Sequence, residues 1–564
     1  MASSKIQSSL LSKGYFPKEL PEAFTTKTFG ENSREIISEW NKAKIFSVET
    51  KALGKLAGKK VRRGSYTYSL ASADAEIISV PKRGYERRNL QLTHPVSQSL
   101  IAHEMAQHWG DIQRWIGRQT YSLDEIRVSD QYERSVKGIN FPLHREKKSY
   151  IESTSDWVVR TDITIFYPSI YTHSIPWAAY GKEKVKQNIN VYKESLADRL
   201  DVLVRSGNRN QTVGIPIGPE TSRIIAETIS ARIDSEFRQS RPEVKINNVD
   251  RLQDDWLIGT NSLESADSIL AEISRIYRHF GLEINGSKTS INHIVAARQE
   301  SWVSEIGAFL SHRGGSLSGS RLREFLAICP RLQAEFHSEP VINYALSVIE
   351  GAKIQTQDVR EMESFLLKAS IIAPNSLDRI CRIILDLQHE TNMISKKKVV
   401  DRFVELIERN IEKEHHFEVI WLIYTIRGLN VRFYSRKLSD KIESMQSASI
   451  ALLLLDMRAR KTFGGKLPIE KWESEITEDR ILTDWTWLLG YEGFRNGWLR
   501  DKNNLMKGSL FAPMAHRNVV FYDPKRNVRP SKTFVSKRMI LRNDQKKELR
   551  QFFVEVRGVD PFDY

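Results

Sequence analysis

Two adjacent carboxylates interrupt an apolar stretch of the chain. Residues 251–259 read RLQDDWLIG and carry Asp254 and Asp255 side by side. Neighbouring anions repel each other and lower the propensity for a strand, so the pair needs a compensating partner. Mg²⁺ prefers carboxylate oxygens and keeps coordination positions open for phosphate. The pair therefore predicts a divalent-cation site, provided that a distant segment supplies another acidic group.

The candidate for that distant group is Asp162, in the segment VVRTDITIFYPSIYTHSI. It ends a β-branched run, which predicts a strand that projects Asp162 from a sheet edge while Val158 and Val159 pack behind it. In two-metal phosphoryl transfer, one ion activates the attacking hydroxyl and the other stabilises the leaving pyrophosphate. The competing interpretation is that Asp162 caps a turn and that the Asp254–Asp255 pair ends a hairpin.

Two further segments have residue types that suit a phosphate ligand. In TVGIPIGPETS, Gly214 and Gly218 bracket a short apolar piece before a predicted helix, whose start presents free N–H groups. In HFGLEINGSKTSI, Lys288 follows the strand-like LEIN and could reach a phosphate or donate a proton to pyrophosphate. The competing interpretations are an ordinary Gly-Pro turn and a surface lysine.

The elements around these residues predict an α+β fold followed by helices. Two strands joined by a basic turn are expected in EIISVPKRGYERRNLQL, and one strand in DWVVRTDITIF. Helical spacing occurs in SQSLIAHEMAQHW and in GPETSRIIAETISARIDSEF. After about residue 315 the pattern is helical, as in HFEVIWLIYTIRGL and SASIALLLLDMRAR, and a stack of helix pairs is a hypothesis without a visible fixed period. The predicted units are residues 1–60, 61–310 and 311–564.

Composition narrows the class of protein. The chain has 564 residues with 85 Lys and Arg against 70 Asp and Glu, a formal charge of +15, which fits either a polyanionic partner such as nucleic acid or a generally basic protein. Cys329 and Cys381 are the two cysteines, so a disulfide framework and a cysteine zinc site are excluded. No cleavage signal or membrane-length apolar run is visible, which predicts a cytosolic protein without membrane association.

In their order along the chain, these segments resemble the palm of a reverse transcriptase. TDITIFYPSIYTHSI resembles motif A, GIPIGPETS motif B, LQDDWLIG motif C and LEINGSKT motif D, and VPKRGYERRNLQL resembles the basic fingers motif. The forms of motifs A and B are most similar to bacterial abortive-infection and defence-associated reverse transcriptases, the group containing AbiK. The resemblance covers about residues 60–310 and implies a right-hand fingers and palm. Members of that group often carry a helical-repeat C-terminal domain.

The resemblance implies a role for each matching residue. Asp162 and Asp254 would hold both metal ions with Asp255 beside them, so that all three carboxylates form the catalytic and metal-binding set. The implied metal is Mg²⁺, or Mn²⁺ in its place. The implied dNTP-binding residues are Lys82 and Arg88 on the fingers, Tyr167 as the steric gate against a 2′-hydroxyl, Gly218 and Lys288. Motif C departs from the usual aromatic–X–Asp–Asp pattern, because Leu252 and Gln253 precede the pair.

The function implied is that of a reverse-transcriptase-class DNA polymerase in bacterial antiphage defence. Its partners would be dNTPs, the DNA product, an RNA template or associated non-coding RNA, and further copies of the chain in a homo-oligomer. Synthesis without a template from a protein hydroxyl stays open, with Tyr15, Tyr522 and Tyr564 as candidate priming residues. The competing functions are those of a catalytically idle nucleic-acid-binding scaffold of polymerase fold and of a group II intron-type maturase.

Overall fold

A computed structural model describes residues 2–50, 66–82, 84–296, 301–311, 317–337, 339–351 and 354–526. Within these residues the strands form one four-stranded sheet and two hairpin-like pairs. The strands are β1 Phe46–Thr50, β2 Tyr66–Leu70, β3 Glu76–Pro81, β4 Arg87–Leu92, β5 Trp157–Thr161, β6 Val249–Leu252, β7 Asp255–Thr260 and β8 Ser290–His293.

The larger sheet has the strand order β6-β7-β5-β8, and every neighbouring pair is antiparallel. Its central strand β5 has the predicted β-branched run, and Val158 and Val159 are buried. The strands β3 and β4 pair with each other, with Val80 opposite Arg88, as predicted for two strands joined by a basic turn. The carboxylates of interest lie at the ends of β5 and β6–β7, at one edge of the larger sheet.

Helices before residue 300 surround the sheets. They are α1 Ser3–Ser12, α2 Lys27–Glu31, α3 Ser33–Lys42, α4 Pro95–Gln107, α5 Trp109–Ile116, α6 Phe141–Ser153, α7 Phe166–Ser169, α8 Ser174–Tyr180, α9 Lys182–Gln187, α10 Ile189–Tyr192, α11 Leu196–Ser206, α12 Glu220–Ser240 and α13 Leu263–His279. The predicted helix α12 buries Ile225, Ile229 and Ile233, which recur every four residues and so lie on one face.

The chain after residue 300 is helical throughout the part that the structure describes. The helices are α14 Ser301–Ser311, α15 Gly319–Glu335, α16 Val341–Gly351, α17 Val359–Ile372, α18 Leu377–Thr391, α19 Lys396–Ile411, α20 His416–Leu429, α21 Arg436–Lys441, α22 Ala448–Ala459, α23 Ile469–Glu475, α24 Glu478–Thr483, α25 Thr486–Arg495 and α26 Ala512–Ala515. The predicted helical C-terminal region is therefore present, and the regular repeat stays a prediction. None of the helices in the described ranges has the length and apolarity needed to cross a bilayer.

The N-terminal segment packs against the end of the helical region. Trp40 Nε1 donates to the carbonyl of Leu510 at 2.9 Å, and Thr25 N donates to the carbonyl of Phe521 at 2.9 Å. The ring of Phe24 lies edge-on to Tyr522 with ring centroids 5.1 Å apart. The two ends of the described chain thus share one core, while the predicted boundaries at residues 60 and 310 stay predictions.

Candidate active site

The end of β5 places Asp162 at the sheet edge. Asp162 directly follows Thr161, is 5% exposed, and its carbonyl accepts a hydrogen bond from Asn285 N at 2.7 Å. Ile163 forms an antiparallel bridge with Ile284. The predicted strand in LEIN is therefore a single bridge rather than a strand, because this segment pairs only with the short stretch that follows β5.

The adjacent aspartates lie at the tip of a hairpin. The strands β6 and β7 are joined by the two-residue loop Gln253-Asp254, and Leu252 pairs with Asp255. The segment RLQDDWLIG is a hairpin rather than one continuous strand, because Gln253 has a φ of +58°, outside the extended region. Since Trp256 of β7 pairs with Thr161 of β5, the hairpin tip lies beside Asp162. The hairpin and the carboxylate cluster, which the sequence left as competing interpretations, occur together.

The carboxyls of Asp162 and Asp254 share a hydrogen bond. Burial, this hydrogen bond and the negative charges of Asp255 and Asp162 together raise the pKa of Asp254 to about 8. Lys288 Nζ donates to Asp162 Oδ2 at 2.5 Å. Burial alone would lower the pKa of Lys288, but the bond to Asp162 and the three nearby carboxylates raise it. One ammonium and one shared proton thus face three carboxyl groups.

This excess of negative charge fits a divalent cation. Mg²⁺ is commonly held by one or two carboxylates together with substrate phosphates, and Asp162 and Asp254 supply such a pair. Asp255 is exposed, and its charge acts on both Asp254 and Lys288. Among the residues that the structure describes, no group of three or more His, Cys, Asp or Glu side chains is arranged to hold a metal. The structure thus brings Asp162 and Asp254 together, and the prediction that Asp255 belongs to the metal-binding set stays a prediction.

The predicted gate residue Tyr167 lies next to the hairpin tip. Its ring lines a small cavity together with Phe166, Arg223 and Gln253, the neighbour of Asp254. Burial raises the pKa of the Tyr167 hydroxyl, so the side chain stays neutral. Its carbonyl accepts a hydrogen bond from Ile215 N at 3.0 Å, which joins the segment after Asp162 to the loop before α12.

The loop before α12 packs against the N-terminal segment of the chain. A Cβ on Gly218, whose φ is +129°, would lie 2.7 Å from Pro17 Cγ. Glu220 N, at the start of α12, donates to the carbonyl of Gly14 at 2.7 Å. The expectation that this helix start offers free N–H groups is therefore wrong for Glu220. The glycine allows close approach of Pro17, and dNTP binding at Gly218 stays a prediction.

Lys82 and Arg88 lie apart from the carboxylates in the fold, on the β3–β4 pair. Lys82 Nζ forms an ion pair with Glu86 Oε2 at 3.1 Å, and Arg88 is exposed on β4. Near the C-terminal end of β4, Gln91 N donates to the carbonyl of Ile217 at 2.9 Å, which joins the strand pair to the loop before α12. The structure thus connects the two predicted triphosphate residues to the loop before α12 and leaves their side chains turned to solvent.

Arg251 is a residue of the site that the sequence interpretation did not single out. Its guanidinium is fully buried, and it donates to Asp234 Oδ1 at 2.7 Å, to Glu227 Oε1 at 2.6 Å and to the carbonyl of Gln253 at 2.7 Å. It therefore ties the hairpin tip to two carboxylates on α12. The sequence feature that could have indicated this role is an arginine placed three residues before the aspartate pair in an otherwise apolar stretch.

Two of the three candidate priming tyrosines are buried. Tyr15 Oη donates to the carbonyl of Thr93 at 2.5 Å, and Tyr522 Oη donates to Asp456 Oδ2 at 2.8 Å. Neither side chain has measurable exposure, so the structure disfavours Tyr15 and Tyr522 among the candidate priming residues. Tyr564 lies outside the described residues.

Comparison with known proteins gives only distant structural likeness. Neither the protein-family models nor the curated proteins match this chain. Apo telomerase from Candida tropicalis is 11% identical over 79% of this chain and 76% of that chain, with a TM-score of 0.29. The same telomerase truncated from its C-terminal domain is 12% identical over 49% of this chain and 57% of that chain, with a TM-score of 0.27.

A third similar structure is telomerase from Candida albicans in complex with a fragment of telomeric RNA. It is 10% identical over 75% of this chain and 70% of that chain, with a TM-score of 0.26. At TM-scores of 0.26 to 0.29, these likenesses carry no inference about the activity of this chain. The feature of this chain that points to a function is the approach of Asp162 to Asp254.

Proposed function

We propose that the chain is a Mg²⁺-dependent nucleotidyltransferase that extends a primer hydroxyl with dNTPs, in the manner of a reverse transcriptase. The observation that supports this most is the approach of Asp162, directly after β5, to Asp254 at the tip of the β6–β7 hairpin, since β5 and β7 are paired in one sheet. Together with Lys288 the two carboxyls form an anionic cluster at the sheet edge. Such a cluster costs stability in the absence of a cation and suits phosphoryl transfer in its presence.

In this proposal, Asp162 and Asp254 hold Mg²⁺, or Mn²⁺ in its place. A cation held there would lower the pKa of the attacking hydroxyl and stabilise charge on the phosphate oxygens. The primer hydroxyl gives up its proton to solvent, its oxygen forms a bond to the α-phosphorus of the dNTP, and the bond from that phosphorus to pyrophosphate breaks. Lys288 holds a proton beside Asp162 and supplies it to the leaving pyrophosphate. Tyr167 excludes a 2′-hydroxyl from the sugar position, and Lys82 and Arg88 bind the triphosphate.

The resemblance to defence-associated reverse transcriptases adds a biological role, a product and partners to this proposal. The chain acts in bacterial antiphage defence, makes DNA, binds an RNA template or an associated non-coding RNA, and assembles with copies of itself. The burial of Tyr15 and Tyr522 favours a hydroxyl supplied by nucleic acid over priming from either residue. An idle scaffold would keep the same carboxylates without using them, so a measurement of incorporation separates the two functions.

The test is incorporation of labelled dNTPs by the purified chain with Mg²⁺ and an oligonucleotide primer, with and without a template. The variant Asp254→Asn is compared with Asp267→Asn, an equivalent change at an exposed position of α13. Incorporation that Asp254→Asn abolishes and Asp267→Asn preserves supports the proposal. Incorporation that survives in Asp254→Asn assigns the activity to a contaminant and favours the idle scaffold.

A further inference from the structure

The β3–β4 pair is fixed to the helical C-terminal region by a bidentate ion pair. Arg87, the first residue of β4, donates from Nη1 to Glu418 Oε1 at 2.8 Å and from Nη2 to Glu418 Oε2 at 2.7 Å. Glu418 lies in the first turn of α20, and its side chain is 4% exposed. Two parallel N–H···O bonds fix the relative orientation of the two groups, which a single contact does not.

The same arginine also fixes the strand pair internally. Arg87 Nε donates to Ser79 Oγ at 2.6 Å, and Arg87 Nη2 donates to the carbonyl of Ser79 at 3.0 Å. Ser79 belongs to β3, so one guanidinium connects β3, β4 and α20. The orientation of both strands therefore depends on the position of Glu418.

A second contact holds the other end of β3. Glu76, its first residue, is buried, and its Oε1 accepts from Ser447 Oγ at 2.7 Å and from Ser449 N at 3.1 Å at the start of α22. The helical region thus holds β3 at its first residue and, through Arg87, near its last. A strand pair held at both ends cannot rotate about one anchor.

Two backbone hydrogen bonds, linked by the loop before α12, join this strand pair to the segment that carries Asp162. At the end of β4, Gln91 N donates to the carbonyl of Ile217. In the same loop, Ile215 N donates to the carbonyl of Tyr167, five residues after Asp162. The position of the strand pair is therefore mechanically connected to the sheet edge that carries Asp162.

The geometry points to Glu418 as a positioning residue for nucleotide binding: through Arg87, the helical region sets where the β3–β4 pair holds the triphosphate of the incoming dNTP. This inference rests on the proposed function, since it presumes that Lys82 and Arg88 contact that triphosphate. Glu418 touches no substrate in this scheme, and it acts on the KM for dNTP rather than on the chemical step. The helical half of the chain is thereby part of the nucleotide site.

The experiment measures kcat and the KM for dNTP in three variants of the full chain. Glu418→Gln weakens the ion pair, the double change Arg87→Glu with Glu418→Arg reverses it, and Glu361→Gln changes an exposed ion pair of α17 as the matched control. We expect Glu418→Gln to raise the KM about tenfold with little change in kcat. The reversed pair should recover part of this loss, because a carboxylate at position 87 restores the link to α20 but cannot donate to the Ser79 carbonyl, and Glu361→Gln should match the wild type.

A second measurement separates positioning from folding. Hydrogen exchange of amides in β3 and β4 should become faster in Glu418→Gln, whereas amides of β5 and β7 should keep their protection and the Tm should fall little. An unchanged KM and unchanged exchange in Glu418→Gln would overturn the inference while wild-type incorporation still supported the proposed function. Wild-type protein that neither incorporates dNTPs nor binds a non-hydrolysable dNTP analogue would instead overturn the proposed function, and the inference with it.

Discussion

Two charge clusters meet the β6–β7 hairpin, one at Arg251 and the other at Asp254 three residues later, and they are built in opposite ways. Behind the hairpin, the guanidinium of Arg251 faces Glu227 and Asp234, and every charged group has a close partner. At the hairpin tip, Asp254 faces Asp162 and Asp255, with Lys288 as the cation bonded to Asp162. In the first cluster both carboxylates accept hydrogen bonds from the guanidinium, whereas in the second Lys288 is bonded to Asp162 and Asp254 faces two other carboxyls.

The difference indicates what each cluster is for. A buried ion network whose members are all paired stabilises a unique arrangement, and removing one member leaves an uncompensated charge. A cluster that carries surplus negative charge is less stable than its neutral equivalent, and a bound cation supplies the missing charge. We therefore interpret Arg251 as the support that holds the hairpin and Asp254 as the group that the hairpin presents.

The largest expected effect comes from Asp254→Asn. Since this amide cannot replace a carboxylate as a Mg²⁺ ligand, we expect nucleotide incorporation to fall by about a thousandfold or more. The Tm should stay equal to or exceed that of the wild type, because the amide keeps a donor toward Asp162 and cannot add a further negative charge. Assays of incorporation and thermal unfolding on the same preparation check both halves. A fall in activity that merely follows a fall in Tm would make Asp254 structural.

Arg251→Met tests the other side of the comparison. Removing the guanidinium leaves Glu227 and Asp234 buried without their cation, so the free energy of unfolding should fall by about 3–5 kcal/mol. Urea denaturation monitored by tryptophan fluorescence measures it. The triple variant that adds Glu227→Gln and Asp234→Asn should recover a large part of that loss. A loss below about 1 kcal/mol, in the range of an exposed pair, would remove the distinction between the two clusters.

A third buried cluster extends the comparison to pH. His144 lies between Asp250, with Nδ1 2.9 Å from Oδ1, and Asp124, with Nε2 3.4 Å from Oδ2. Burial alone would lower the pKa of His144, but the two carboxylates outweigh it and raise the pKa from 6.5 to about 9. A raised folded-state pKa stabilises the protein fully below pH 6.5, and that contribution is lost as the pH rises to about 9.

The pH prediction is tested by comparing the wild type with His144→Gln. The Tm of the wild type should decline between pH 6.5 and about 9, and this decline should be smaller in the variant because the titrating group is absent. Thermal unfolding across that range is the measurement. Parallel Tm curves for the two proteins would show that His144 is not the group responsible.

The smallest effect is expected for an exposed ion pair, which serves as the reference for the stability change of the buried Arg251 cluster. Arg331 Nη2 lies 3.1 Å from Glu305 Oε2, with side chains 58% and 46% exposed. Water screens such a pair, so Glu305→Gln should change the free energy of unfolding by less than about 0.5 kcal/mol. Urea denaturation under the conditions used for Arg251→Met gives the comparison. A change comparable with that of Arg251→Met would mean that burial does not decide the cost.

Local patterns predicted much of the fold. The β-branched run of β5, the four-residue isoleucine spacing of α12 and the basic turn between β3 and β4 each encode their element directly. The approach of Asp162 to Asp254 was predicted because a metal site requires distant carboxylates, and the structure brings these two together. The third carboxylate, Asp255, was predicted to lie beside these two, and it is exposed at the first position of β7, next to Asp254.

Other features depend on long-range packing that no local pattern contains. Periodicity could not show that Gln253 adopts a positive φ, because Arg251, which donates to its carbonyl, is itself held in place by Glu227 and Asp234 of α12. The space beside Gly218 is filled by Pro17, some two hundred residues earlier in the chain. Tyr522 was considered as a priming residue, yet it packs on Phe24 in a core shared by both ends of the described chain.

Direct measurement of cation binding tests the central claim. Mn²⁺ titrated into the wild-type chain in the presence of a non-hydrolysable dNTP analogue, followed by electron paramagnetic resonance, reports occupancy without any need for turnover. We predict that the wild type and Asp267→Asn bind Mn²⁺ with the same affinity and that Asp162→Asn and Asp254→Asn lose this binding. Equal Mn²⁺ affinity in all four proteins would contradict the assignment of Asp162 and Asp254 as metal ligands.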